Sequence, residues 1–337
     1  MEFIIPELET YTKYGANCLF SAIEDTLRHQ KYDLSCVDVF MLCNGFNVTY
    51  ESDLNFVGYS DPDEIVKNMA RENLFKINMC YKLQDKDELF QKACNAVLNN
   101  NVVILFVGTE NLNYNDAFRG ENRGHCILLY GINSEQGIVY VADAYFKDST
   151  GRMRKYQGSA SIDDIRKSIF GFVWFDTDKT SNFISRKTVL DITINNLKAF
   201  MEGNTTENKF SGNLAFKRFV GDLNKLEALD ENSFAQTCVN IYFSIKIRSA
   251  IVIIDNMISF IRNNADFQLE DYDTVLEELQ TLRREWDKIG LNVTKAGMTK
   301  RKRMIPGICE MANNTMQIQN KTFNNYLQYL EKVKTAI

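Results

Sequence analysis

GHCILLYGINSEQGIVYVADAY, residues 124–145, decides how this chain folds. HCILLYGI (125–132) and IVYVADAY (138–145) are apolar and rich in β-branched and aromatic residues. The polar NSEQG between them is a turn, so the stretch reads as two antiparallel strands of a hairpin. If Gly131 faces Gly137 across the turn, paired residue numbers sum to 268. His125 then stands opposite Asp143 on one face, with Cβ atoms about 4.5–5.5 Å apart. A slip of one residue puts Ala142 or Ala144 there instead and separates the two polar groups.

Working outward, NVVILFVG (101–108) is a buried strand bounded by Asn and Gly, fed by a helix around 85–99. IFGFVWFDTD (169–178) is another strand, preceded by a short helix at 161–168. Nearer the amino end, NCLFSAIEDTLRHQ (17–30) sets Leu19, Ala22, Ile23 and Leu27 near one helical face. Asn17 is its expected N-cap, which puts Cys18 in the first turn. Glu24 and Asp25 read as the solvated face of that helix. From about 190 onward helical periodicity runs through 189–202, 212–228, 233–264, 270–289 and 308–335, with GNTTENKFSG (203–212) as a loop. Pro306 and Gly307 punctuate the last break. The expected class is α+β with an antiparallel sheet, followed by an all-helical C-terminal region. The expected domains are 1–185 and 186–337, the second packing beside or over the cleft of the first.

Composition narrows the function classes. The 337 residues carry a net charge of −5, with 45% hydrophobic and 25% charged residues, ordinary for a globular protein. That charge argues against non-specific nucleic-acid binding. The most apolar helical run, 241–261, contains Lys246, Arg248 and Asp255 and reads as a buried helix rather than a membrane span. No amino-terminal stretch has the zones of a signal peptide, so a cytoplasmic location is expected. The eight cysteines are scattered without a C-x-x-C, and only two histidines are available, so no metal site is expected.

Those two histidines separate by position. His29 lies on the same helix as Cys18, about 16 Å along it at 1.5 Å per residue, too far to touch that thiol. His125 opens the hairpin. A thiol at a helix start gains from the helix dipole, which stabilises a thiolate, and from free backbone N–H groups that can hold an oxyanion. Cys18 as nucleophile, His125 as base and acid, and Asp143 as the carboxylate orienting the imidazole are the parts of a nucleophilic site. Cys126 alternates to the other side of the strand and is assigned to the core.

GANCLFSAIEDTLRHQ, GHCILLYGINSEQGIVYVADAY and the helical C-terminal half together resemble the family named for the amino-terminal domain of butirosin biosynthesis protein H. A related resemblance is to the amide-forming, transglutaminase-like enzyme of closthioamide biosynthesis. The resemblance implies a papain-like core, similar to cysteine proteases and transglutaminases, and a Cys18–His125–Asp143 triad. It implies acyl transfer: an acyl group moves from a carrier-protein thioester through a cysteine acyl-enzyme to an amine, forming an amide in secondary-metabolite biosynthesis. No cofactor of its own is implied, because phosphopantetheine arrives on the carrier protein. The partners would be an acyl or peptidyl carrier protein and a small amine or diamine acceptor. Papain-like peptidases carry a Gln six residues before the cysteine, and here that position is Thr12. The oxyanion would then rely on the backbone N–H of Cys18 and a side chain such as Asn17 or Tyr14. This weakens a peptidase reading more than an acyltransferase one, since a thioester opens more easily than an amide. A peptidase or thioester hydrolase and a non-catalytic binding module remain the alternatives. Lys300, Arg301, Lys302 and Arg303 form the only dense basic cluster and are candidates for carrier docking, against the plainer reading of a solvated helix end.

Overall fold

The computed structural model describes residues 1–6, 8, 17–58, 62–71, 74–81, 85–114, 123–148, 152–176, 184–206 and 209–337. The chain begins with β1 (Glu2–Ile4), α1 (Cys18–His29), α2 (Cys36–Leu42), β2 (Val48–Tyr50), β3 (Phe56–Gly58) and α3 (Pro62–Arg71). β4 (Lys76–Tyr81), α4 (Lys86–Leu98), β5 (Val103–Gly108), β6 (Gly124–Asn133) and β7 (Ile138–Lys147) follow. Next come β8 (Met153–Ser161), α5 (Ile162–Ser168), β9 (Ile169–Asp176) and α6 (Arg186–Glu202). After β10 (Asn204–Thr206) and β11 (Lys209–Ser211) the chain is helical: α7 (Gly212–Asp222), α8 (Glu231–Phe243), α9 (Ala250–Arg262), α10 (Tyr272–Met298) and α11 (Ile305–Ala336). The protein thus combines helices with antiparallel sheet and carries a helical C-terminal region.

Two compact units share these elements. The first is Met1–Val39 with Val66–Ile184; the second is Phe40–Ile65 with Ser185–Ile337. A single cut at 185 omits the excursion of residues 40–65 into the second unit.

The first unit is built on a seven-stranded sheet ordered β4-β9-β5-β6-β7-β8, with β1 also pairing β6. Every pairing is antiparallel. β5 is buried at all six positions, as its unbroken apolar run requires. α1 packs on β5, β6 and β7, and α4 on β5, β6 and β9.

The hairpin forms, but its register is not the one that the turn alone suggests. Near the turn the partners are Asn133–Ile138, Ile132–Val139 and Gly131–Tyr140, each summing to 271. Beyond a bulge between Leu129 and Gly131 they are Leu129–Val141 and Leu128–Ala142, summing to 270. Continued one step, that register sets Asp143 opposite Ile127, two residues from His125 and on the same face. Asp143 and His125 are therefore diagonal rather than direct neighbours. Without the bulge, the turn-end register would put Asp143 opposite Leu128 and on the other face from His125. The bulge sits where β6 changes partner, from β5 along 124–129 to β1 along 131–133. The Ile5 N–H donates to the Tyr130 carbonyl at 2.8 Å there. A Cβ on Gly131 would lie 2.8 Å from the Phe3 carbonyl oxygen and 3.0 Å from the Tyr140 ring, so only glycine fits this approach.

In the second unit, β10-β11-β2-β3 form a four-stranded sheet. The stretch expected as a loop at 203–212 instead contributes β10 and β11, which pair with one another, and β11 pairs with β2. An aromatic cluster covers this sheet: Phe56 packs against Phe216 and Phe219 with ring centroids 4.9 and 4.6 Å apart. The long helices α10 and α11 pack on one another. Between them the buried Trp286 indole donates to Gln319 at 2.8 Å, and Gln319 donates to Asn213 at 3.1 Å. The apolar run 241–261 spans the end of α8, a π-helical turn at Ser244–Arg248 and α9. Ile251, Ile254, Met257 and Phe260 in it are buried. By length and composition Glu231–Arg262 could cross a membrane, with half of its most apolar window buried inside the protein.

Candidate functional site

Cys18 is the first residue of α1, and Asn17 is its cap. The Asn17 side-chain oxygen accepts from the Phe20 N–H at 2.8 Å, and the Ser21 hydroxyl donates to the Asn17 carbonyl at 2.9 Å. These bonds end the helix cleanly and hold Cys18 where the unpaired N–H groups of the first turn converge. The Asn17 oxygen is committed to the cap, which leaves its amide N–H₂ as the end able to donate. Tyr14 and Thr12 lie outside the described residues. Glu24 and Asp25, expected on a solvated face, are buried at 5% and 0% exposure, because α1 is enclosed from Leu19 through Leu27. Glu24 is paired with Arg28 one turn on, at 3.1 Å.

The hairpin supplies the next two groups. His125 Nε2 and Asp143 Oδ2 are 2.7 Å apart, and both residues are buried. With Nε2 engaged, Nδ1 is the nitrogen left to face a thiol. A third partner went unseen in the sequence: the Tyr114 hydroxyl donates to the same Asp143 oxygen at 3.2 Å. Tyr114 lies on the segment after β5. It is fixed by stacking on Tyr156, with centroids 4.0 Å apart and planes 3° from parallel, and by the edge of Phe146 at 5.6 Å. Tyr156 is itself the cross-strand partner of Asp143 on β8. An aromatic residue opposite the hairpin's Asp was the only sequence signal for this clamp, and it required the β7–β8 register to be read.

Cys18 opens α1, the helix that packs on β6 and β7, the strands carrying His125 and Asp143. Its thiol is held well below the ordinary 9.0, first by the bond from the Cys126 S–H and then by the charge and bond of His125, against the opposing effect of burial. Burial pulls the His125 imidazole down, yet the Asp143 carboxylate and the Cys18 thiolate raise it well above the ordinary 6.5. Cys126 is pushed well up, chiefly by its bond to Cys18. The negative charge settles on Cys18 because His125 and the amino end of α1 are beside it. Both shifts favour the charged forms of Cys18 and His125, with the Asp143 carboxylate on the imidazole. Cys126, assigned to the core by strand alternation, is buried. The β6–β7 pairing stops at Leu128–Ala142, short of Cys126. Among the described residues, no three His, Cys, Asp or Glu side chains form a metal-binding group.

The other candidates lie elsewhere. His29 ends α1 beside Arg28, at the opposite end from Cys18. In the basic run, Lys300 pairs with Glu231 at 2.9 Å. Lys302 donates to the Glu227 carbonyl at 3.1 Å and to the Leu229 carbonyl, with its ammonium 5.9 Å from the centre of the Phe234 ring. These two lysines tie the turn after α10 to the start of α8. Arg301 and Arg303 are exposed.

No curated protein matches the chain. Residues 17–144, which hold Cys18, His125 and Asp143, match the family described as Butirosin biosynthesis protein H, N-terminal, the family that the sequence itself resembles.

Proposed function

We propose that the protein is a biosynthetic enzyme with a papain-like core, a cysteine-dependent acyltransferase that makes an amide from a carrier-protein thioester and an amine. The observation that carries this reading is the continuous chain Cys18–His125–Asp143, with the thiol lowered and the imidazole raised. The match over 17–144 to a family named for an antibiotic-biosynthesis protein supports the biosynthetic setting.

In the first step the Cys18 thiolate attacks the thioester carbonyl, and the oxyanion meets the N–H groups at the start of α1. The carrier's phosphopantetheine thiolate leaves and takes the proton of His125. In the second step an amine attacks the Cys18 acyl-enzyme and His125 accepts its proton. The Cys18 thiolate is expelled, so the amide is released and the ion pair restored. Asp143 keeps Nε2 engaged and Nδ1 directed at the reacting atoms, and Tyr114 fixes Asp143. The partners are the carrier protein and a small amine or diamine, the location is the cytoplasm, and no cofactor beyond the carrier's own arm takes part. Arg301 and Arg303 are the members of the basic run left to meet an acidic carrier.

The test is intact-protein mass spectrometry after incubation with acyl-carrier thioesters. Wild type is expected to gain the acyl mass on Cys18 and lose it to an amine, while Cys18→Ala gains nothing. Equal labelling of the two proteins would overturn the covalent mechanism. Decay of the acyl-enzyme to free acid at a rate indifferent to added amine would make the protein a hydrolase.

A further inference from the structure

We propose that the outer edge of β4 is a docking groove for an uncharged, extended segment of a partner polypeptide, which pairs with β4 as a further strand. Among the described residues β4 ends its sheet, with β9 on one side and no strand on the other. On such an edge every second residue turns both its N–H and its C=O outward, a regular row of donors and acceptors without partners in the sheet. The two ends of the sheet differ in how they treat a visiting strand. β8, at the far end, carries exposed Arg154 and Lys155, charges that discourage pairing. β4 runs as INMCY from Ile77 to Tyr81, without charge, proline or glycine, and keeps one register with β9 along its whole length. Its lone charge, Lys76, sits at the first position and pairs with Asp176 at 3.0 Å.

An open groove of about 590 Å³ lies along this edge, a size within the range of about 300–1,000 Å³ usual for binding sites. Ile77, Asn78, Met79 and Cys80 all line it. Consecutive strand residues point to opposite faces, so a space that touches all four follows the backbone edge rather than one face. Lys92, Asn95, Ala96 and Asn99, at i, i+3, i+4 and i+7 along α4 and its cap, form the facing wall. Trp174 and Phe172 of β9, opposite Asn78 and Cys80, form the floor, with ring centroids 5.7 Å apart and planes 19° from parallel. Each part selects the occupant. The outward main-chain groups of β4 match another extended backbone, and four lining residues match a segment of about four, roughly 13 Å long. The carboxamides of Asn78, Asn95 and Asn99 offer neutral donors and acceptors to its amide groups. The half-buried Trp174 offers an apolar surface to one of its side chains. Among the lining residues only Lys92 is charged, and it pairs with Glu88 at 2.7 Å, so the groove favours an uncharged segment. Three strand spacings, about 14 Å, separate β4 from β6 and His125, and the inference does not depend on the acyl-transfer reading.

The test titrates the full-length protein with a library of N-acetylated, C-amidated tetrapeptides built from uncharged residues. Binding is read from tryptophan fluorescence and from amide hydrogen exchange. Trp286, the other tryptophan, is fully buried in the second unit, so Trp174 reports on the groove. Peptides with an apolar residue at one fixed position should bind saturably and slow exchange at alternate amides within 77–80 by about tenfold or more. An ester placed in turn at each amide of the tightest peptide should weaken binding about two- to tenfold at every second position and leave the others unchanged. Trp174→Ala should weaken it about fivefold or more. Because the exchange pattern is read in the wild type, the result stands even if the variant folds poorly. Four outcomes would each overturn the proposal: no binding across the library, protection only outside 77–80, an ester scan without alternation, or protection of 77–80 that rises with protein concentration in the absence of peptide. The last would make a second copy of the chain the occupant of the edge.

Discussion

Two buried polar chains among the described residues have similar length and differ in one respect. In the second unit, Trp286, Gln319, Asn213 and Asn320 are joined by bonds of 2.7 to 3.1 Å, and none of them titrates. In the first unit, His125, Asp143 and Tyr114 are joined by bonds of 2.7 and 3.2 Å, with Cys18 lowered by the His125 charge, and every member can gain or lose a proton. A neutral chain satisfies its donors and acceptors and fixes one packing of long helices. A titratable chain also moves charge: each member's proton affinity is set by the next, which is what a reaction at neutral pH needs. The contrast lies in charge rather than burial, and mutation should separate the two chains cleanly.

The largest expected effect is at the nucleophile. Cys18→Ala should abolish acyl-enzyme formation while leaving the melting temperature nearly unchanged, since a half-buried thiol is replaced by a methyl group. His125→Ala should lower the rate of amide formation by about 10²–10⁴-fold, the usual worth of a general base. Single-turnover kinetics would check this; a rate within a few-fold of wild type would break the comparison from the catalytic side. Gln319→Leu should act in the opposite sense. It leaves the Trp286 N–H and the Asn213 side-chain oxygen without the partner that Gln319 supplies, for about 1–3 kcal/mol of stability. Urea unfolding of the second unit's transition would measure that loss, and acylation of Cys18 should persist in the folded fraction. The smallest effect is expected from Tyr114→Phe, which deletes one donor to Asp143 and keeps the stacking on Tyr156. A loss of about 0.5–1.5 kcal/mol in transition-state stabilisation is expected, with a lowered kcat, little change in KM and a shifted pH profile. A change in stability alone would make Tyr114 a packing residue.

Much of this was legible in the chain. Length and periodicity sufficed for α1, α4, β5 and the hairpin, and the cap at Asn17 placed Cys18 at a helix start. The pairing of His125 with Asp143 was reached by an incorrect register. Pairing through the turn glycines gave a sum of 268, the structure gives 270 near the site, and the two agree on the face only because they differ by an even number. What restores parity is the bulge at Tyr130, and its cause is β1, a segment more than a hundred residues away in sequence. No local pattern encodes it. The strands β2, β3, β10 and β11 are three residues each, too short for a period-two signal to emerge. Glu24 and Asp25 misled because charge usually marks a solvated face, whereas a central helix has no such face to offer.

The central claim is that the thiol of Cys18 is ionised by the company it keeps, and its alkylation as a function of pH tests this most directly. Iodoacetamide labelling of peptide 14–28, followed by mass spectrometry in the wild type and in His125→Ala, isolates Cys18 from the other thiols. A thiol lowered by a neighbouring cation stays reactive as pH falls through the ordinary thiol range and loses reactivity only when the depressed group is protonated. The wild type should therefore label with a midpoint well below the ordinary 9.0, and removal of His125 should move that midpoint upward. A wild-type midpoint at the ordinary thiol value, unmoved by His125→Ala, would contradict the account.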